Sequence, residues 1–146
     1  MKAFCDSDFA GDKEKRISFT GFCIFYNDCL ISWKSRGQES VSLSSTEAEY
    51  VAMSEVSMEV IFIKYVLLFL GVNLEFPIVI LCNNVGAIYL ANNAKTSGCT
   101  KHIDTQYQYV REFIEDGIVK VIFVRLGDNQ TDPFTKNVSD QLYQEQ

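Results

Sequence analysis

The segment SLSSTEAEYVAMSEVSMEVIFIKYVLLFLG, from Ser42 to Gly71, holds neither proline nor internal glycine, and it limits the fold more than any other stretch. Ser44 with Glu47, and Thr46 with Glu49, each fit the reciprocal capping box that opens a helix, and Gly71 supplies a stop. Val51, Met58, Ile61, Val66 and Phe69 recur at roughly helical spacing, which predicts a long helix with one face laid on a sheet. Strands for that sheet flank it. KAFCD, TGFCIFY (Thr20 to Tyr26) and CLISW (Cys29 to Trp33) precede the helix, with Asn27 and Asp28 as a hairpin turn and SRGQES as a polar turn. Pro77 restarts the chain as IVILC, whose lack of alternation predicts burial on both faces. VGAIYLAN reads as a short helix and KHIDTQYQYVREFIEDG as a longer amphipathic one ended by Gly117. VKVIFVR reads as a last strand, and TDPFTK as a final helical turn with Asp132 as N-cap and Pro133 at its first position. Three strands, a helix, a strand, two helices, a strand and a helix make one α/β unit.

Composition narrows the function classes. At 146 residues, 47% hydrophobic and 22% charged, the chain has enough apolar material for one ordinary core and little room for a second domain. Five scattered cysteines without a CxxC pair read as reduced thiols rather than as disulfides or zinc ligands. A net charge of −6 argues against a generic nucleic-acid binder, so any polynucleotide partner must use a local basic patch. Lys34 and Arg36 in the KSR stretch form the best such handle. The apolar run from Val60 to Val72 is broken by Lys64 and falls short of the ~18 residues of a membrane span, and no apolar run follows a basic start. The expectation is an intracellular protein, cytoplasmic or nuclear, with no membrane partner.

Three carboxylates stand where strands end and helices begin: Asp6, Glu49 and Asp132. Brought together on one sheet edge, they repel unless a cation lies between them, and hard oxygen ligands suit Mg²⁺. Two such ions ~4 Å apart can activate water and stabilise the leaving oxygen in phosphodiester cleavage. The bland reading is that acidic residues at helix starts are solvated caps, and Glu47 and Glu55 are read that way. DSDFAGDKEKRI superficially fits a calcium loop, but Ala10 and Ile17 occupy positions that need oxygen ligands. Cys99 and His102 are too unspecific a pair for cysteine catalysis. Trp33 is read as sheet core rather than a base-stacking platform. Asp8 is read as a surface residue with a candidate auxiliary metal contact.

CDSDFAGD, SFTGFCIF, LISWKS, SLSSTEAEYVAMSE, ILCNNVGAI, TKHIDTQY and DNQTDPFTKN, in this order and spacing, resemble the ribonuclease H domain of copia-type retrotransposon polyproteins. The resemblance covers residues 1–137 and leaves 138–146 as a C-terminal tail. It implies a ribonuclease H-like α/β fold, a five-stranded mixed sheet of three antiparallel strands and two further ones with flanking helices. It also implies a Mg²⁺- or Mn²⁺-dependent endonuclease, using two ions to cut the RNA strand of RNA/DNA hybrids, beside the reverse transcriptase domain of the parent polyprotein. Its catalytic, metal-binding carboxylates fall on Asp6, Glu49 and Asp132, and the remaining one on Asn83. Lys34, Arg36, Lys101 and His102 are the implied nucleic-acid contacts.

Asn83 supplies no negative charge. At an effective dielectric of ~20, a unit charge ~4 Å from a divalent ion is worth roughly 8 kcal/mol gross. If about half of this survives solvent and relaxation, activity falls roughly a thousandfold. Cys99 stands where the resembled domains usually have arginine, and Gln106 and Gln108 where they have basic residues, which removes phosphate contacts. Pro133 replaces an aliphatic residue, tolerably at a helix's first position. The expectation is weak or absent cleavage. The alternatives are an inactive nucleic-acid or protein binding module, or an unselected retrotransposon remnant.

Overall fold

The computed structural model describes residues 1–12, 14–93 and 101–135, with the backbone alone for 101–104, 106–107 and 132. The tail read over 138–146 lies outside the described residues. Five strands, β1 (Lys2–Asp8), β2 (Phe19–Tyr26), β3 (Cys29–Gly37), β4 (Ile78–Cys82) and β5 (Val119–Phe123), form one sheet in the order β3-β2-β1-β4-β5. The β1–β2 and β2–β3 pairs are antiparallel, while β1–β4 and β4–β5 are parallel. Helices α1 (Ser45–Phe69), α2 (Val85–Asn92), α3 (Lys101–Glu115) and α4 (Asp132–Thr135) complete the order, with a 3₁₀ turn at Leu126–Asp128. This is the mixed five-stranded α/β fold that the sequence predicts.

Local chemistry explains the punctuation. Asn27 and Asp28 both take positive φ, 48° and 60°, as a primed hairpin turn demands. Ser44 caps α1 by accepting from the Glu47 amide at 3.1 Å, while the Glu47 carboxylate reaches back to the Leu43 amide at 2.7 Å. Gly71 ends the helix at φ 78°, where the Val72 amide closes onto the Leu67 carbonyl at 2.9 Å.

The core lies between the sheet and the first half of α1, where Ala52, Met53, Val56 and Val60 meet Ala3, Cys5, Ile24, Ile78 and Ile80. This corrects the expected helix face. Met58 is exposed because it lies on the face opposite Val56 and Val60, and Val66 and Phe69, the latter 89% exposed, lie beyond Val60, the last buried residue of α1. The buried face instead carries Tyr50, Met53, Val56 and Val60 together with Ala48, Ala52 and Ser57, whose small side chains let the helix sit close to the strands. Strand β3 also runs further than expected, taking Ser35, Arg36 and Gly37 out of the polar turn. It is an edge strand with mostly exposed side chains, so Trp33 is 61% exposed rather than core, stacked on Phe134 with centroids 5.7 Å apart. IVILC alternates after all: Ile78, Ile80 and Cys82 are buried, Val79 and Leu81 half-buried, so only one face carries the core. Cys5, Cys23 and Cys82 are free and buried and Cys29 is free and exposed, while Cys99 lies outside the described residues. No helix among the described residues is long and apolar enough to cross a membrane.

Candidate active site

The parallel register of β1 and β4 ends at Cys5 opposite Cys82, so Asp6, which stays paired to Gly21 of β2, stands level with Asn83, the first residue past the end of β4. The Asn83 amide Nδ2 donates to Asp6 Oδ1 at 3.0 Å. Asp6 is 1% exposed, and its Oδ2 accepts from the Thr135 hydroxyl at 2.5 Å. Glu49 comes from the second turn of α1. Its Oε1 accepts the Ser7 amide at 3.3 Å, and Oε2 lies 4.0 Å from the Cys82 sulfur. Burial, helped by Cys82 and Asp6, pushes the Glu49 carboxyl up to about 9, so it is protonated at neutral pH. The Cys5 thiol is held well above its ordinary value by its hydrogen bond to Cys82 and by burial.

Three of the four sequence-derived positions, Asp6, Glu49 and Asn83, are thus linked through hydrogen bonds and charge. Asp132 begins α4, whose other end, Thr135, touches Asp6; the Asp132 side chain lies outside the described set. Asp8 ends β1 and lines a neighbouring cavity of about 350 Å³ with Gly11, Ser35 and Phe134. Asn84, the second amide of the IVILCNN string, does separate work. Its Oδ1 accepts the Ala87 amide at 2.9 Å and caps α2, a role its place before VGAIYLAN could have revealed.

The basic handle is internally matched. Glu55 Oε2 lies 3.0 Å from Arg36 Nε and 3.7 Å from Lys34 Nζ, and Arg36 also meets Glu39 at 3.2 Å. Glu55 is therefore not the solvated helix position its surroundings in the sequence suggest; it ties α1 to β3. Lys101 and His102 open α3, and their side chains lie outside the described set. Sequence reasoning also missed Thr135, and Asn129, whose amide reaches the Cys5 carbonyl at 3.0 Å.

The described donors at this place are the Asp6 and Glu49 carboxyls and the Asn83 amide, with the Asp132 side chain outside the described set. Two carboxylates are present, one of them protonated by its burial, and the Asn83 amide turns a hydrogen toward Asp6 where an ion needs oxygen. Among the described residues no group of three His, Cys, Asp or Glu is arranged to hold a metal ion.

No protein-family profile matches the chain. Solved structures with the same architecture include the N-terminal RNase H domain of a Mycobacterium tuberculosis protein, with TM-score 0.62 and 11% identity over 99% of this chain and 97% of that one. The LC11 RNase H1 in complex with an RNA/DNA hybrid gives TM-score 0.58 and 10% identity over 97% and 98%. Fold and strand order define a ribonuclease H-like domain. In sequence, the chain is 38% identical over 94% of its length to the retrovirus-related Pol polyprotein from transposon TNT 1-94 of Nicotiana tabacum. It is likewise 38% identical over 99% of its length to that from transposon RE1 of Arabidopsis thaliana. It spans 10% of the length of each of these relatives. The chain belongs to the ribonuclease H-like domains of retroelement Pol polyproteins.

Proposed function

We propose that this domain carries the framework of an RNA/DNA-hybrid endonuclease whose hydrolytic centre is silenced at Asn83. The observation that carries this reading is the 3.0 Å hydrogen bond from the Asn83 amide to Asp6 Oδ1. An active centre of this class would use two Mg²⁺ or Mn²⁺ ions to activate water against a phosphodiester of the RNA strand. Here a neutral amide satisfies Asp6 in place of a cation, and Glu49 keeps its proton, so the cluster is stable without the charge it would need to bind ions. Asp6 and Glu49 remain at the head of the sheet, and α4, which Asp132 opens, touches Asp6 through Thr135. The partner is an RNA/DNA hybrid, gripped but not cut by the natural chain, with the reverse transcriptase region of the polyprotein as a covalent neighbour.

The test is cleavage of a labelled RNA/DNA hybrid in Mg²⁺ and in Mn²⁺ by the natural chain beside Asn83→Asp. The variant is expected to cut faster by about a thousandfold, for the lost charge–ion attraction alone. Comparable cutting by the natural chain would overturn the silenced reading. Cutting by neither places the defect in the substrate groove and favours a pure binding module.

A further inference from the structure

Outside the acidic set, the loop before α4 buries polar side chains for which the chemistry above has no use. Asn129 is 3% exposed. Its Nδ2 donates to the carbonyl of Cys5 at 3.0 Å, one residue before Asp6. Its Oδ1 accepts from the Thr131 amide at 3.2 Å and from the Thr131 hydroxyl at 2.6 Å. Thr131 is itself fully buried, and its carbonyl accepts the Phe134 amide at 2.8 Å, inside the turn of α4. A continuous relay thus runs from the main chain of β1 through Asn129 and Thr131 into α4.

The other end of α4 is fastened to the same strand. Thr135 donates to Asp6 Oδ2, and the Ser35 hydroxyl of β3 donates to the Phe134 carbonyl. Gly21, the register partner of Asp6 on β2, lies beneath. A Cβ there would come within 2.5 Å of Thr135 Cγ2 and 3.1 Å of Phe134 Cβ, so α4 reaches the sheet only because residue 21 has no side chain. A single helical turn has almost no stability of its own, since nucleation is costly and few hydrogen bonds follow. Its position must come from these attachments.

We infer that Asn129 and Thr135, closing over Gly21, are positioning residues that fix α4, and with it the backbone of Asp132, against Asp6. The inference rests on the reading of Asp132 as part of the acidic site. It assigns Asn129 no contact with substrate or ion; the residue acts through the placement of α4. The relay is buried, so replacing Asn129 by Ala leaves the Cys5 carbonyl and the Thr131 hydroxyl without their partner, and α4 should loosen first.

The test uses amide hydrogen exchange at Phe134 in the natural chain, Asn129→Ala, Gly21→Ala and Thr135→Val, together with hybrid cleavage by the same changes made on Asn83→Asp. Thr135→Val keeps the side-chain shape and removes only the hydroxyl, so it tests the clamp with little threat to the fold. All three variants are expected to raise exchange at Phe134 at least about tenfold while β1 and β4 keep their protection. On the Asn83→Asp background, kcat is expected to fall at least about tenfold with KM changed less than twofold, the mark of a misplaced group rather than lost binding. Unchanged protection at Phe134 would overturn the clamp. Loosened exchange with unchanged kcat would reduce it to a structural tie and overturn the positioning role. If Asn83→Asp does not cut at all, the silenced-centre reading fails, and the exchange at Phe134 still decides whether the clamp exists.

Discussion

The head of the sheet and its outer edge handle charge in opposite ways. At the head, Asp6 and Glu49 are buried and held by neutral groups: the Asn83 amide, the Thr135 hydroxyl and the Ser7 amide. The repulsion between the two carboxyls is relieved by a proton on Glu49. At the edge, Lys34 and Arg36 on β3 reach solvent but lie against Glu55 and Glu39, so each positive charge already has a carboxylate nearby. At the head the described carboxyls are matched by neutral donors, and at the edge the cations are matched by carboxylates. If the proposed function holds, variants at the two places should move cleavage and hybrid binding independently.

The largest effect expected outside catalysis belongs to the head. With the Glu49 carboxyl raised from its ordinary 4.5 to about 9, the unfolded chain ionises at a pH where the folded one still holds its proton. The folded state binds more protons across that window, so its stability is full below pH 4.5 and declines as pH rises toward 9. At pH 7 the loss is on the order of 3 kcal/mol, from about 1.4 kcal/mol per pH unit. Glu49→Gln keeps the shape without the ionisation and should remove the slope, leaving the variant more stable than the natural chain at neutral and alkaline pH. Urea unfolding at pH 5, 7 and 9 measures it. Parallel stability curves for the two proteins would mean that Glu49 titrates normally and that the head is a conventional anionic cluster.

At the edge, Glu55→Gln should release Arg36 and Lys34 toward phosphates. Hybrid binding is expected to tighten about fivefold at low salt, and the dependence of log K on log salt to steepen by about one to two units, roughly one per phosphate engaged. The glutamine keeps an acceptor for Thr20 but loses the charged oxygen that Arg36 Nε reaches at 3.0 Å, so a stability cost of about 1 kcal/mol should accompany the gain. Equal affinity and equal slope for the two proteins would remove β3 from the binding surface and break the division between head and edge.

These contrasts were only partly legible in the sequence. Helix and strand identities followed from local chemistry: the Ser44 cap, the Asn27–Asp28 turn and the stop at Gly71 are decided by a few neighbouring residues. Asp6, Glu49 and Asn83 are grouped by the resemblance to the ribonuclease H domain of copia-type polyproteins rather than by periodicity, and Asn83 does meet Asp6 where the β1–β4 register ends. Tertiary partnerships were not legible. Glu55 looks like any exposed helical glutamate until β3 is laid across α1, and the buried face of α1 mixes small residues with Tyr50, Met53, Val56 and Val60 rather than following Met58, Val66 and Phe69. Asn129 and Thr135 lie more than a hundred residues from their partners on β1, and nothing local marks them. Asn84 differs from these, since a helix start directly after an asparagine is a readable cap.

The smallest effect separates the two cations of the edge. Arg36 holds Glu55 at 3.0 Å and Glu39 at 3.2 Å, whereas Lys34 makes one longer approach of 3.7 Å from a side chain that is nearly half exposed. An exposed single pair of this kind contributes about 0–1 kcal/mol, because solvent screens it and ordering two side chains costs entropy. Lys34→Ala should therefore shift the unfolding midpoint no more than a surface substitution does, within about 0.5 kcal/mol. Its hybrid binding should lose about one unit of salt slope if the ammonium turns from Glu55 to a phosphate on binding. Thermal unfolding and a salt titration of hybrid affinity on the same preparation read both quantities. A large stability loss with an unchanged slope would make Lys34 part of the structural pairing with Arg36, and the edge would then contribute no mobile charge to the duplex at that position.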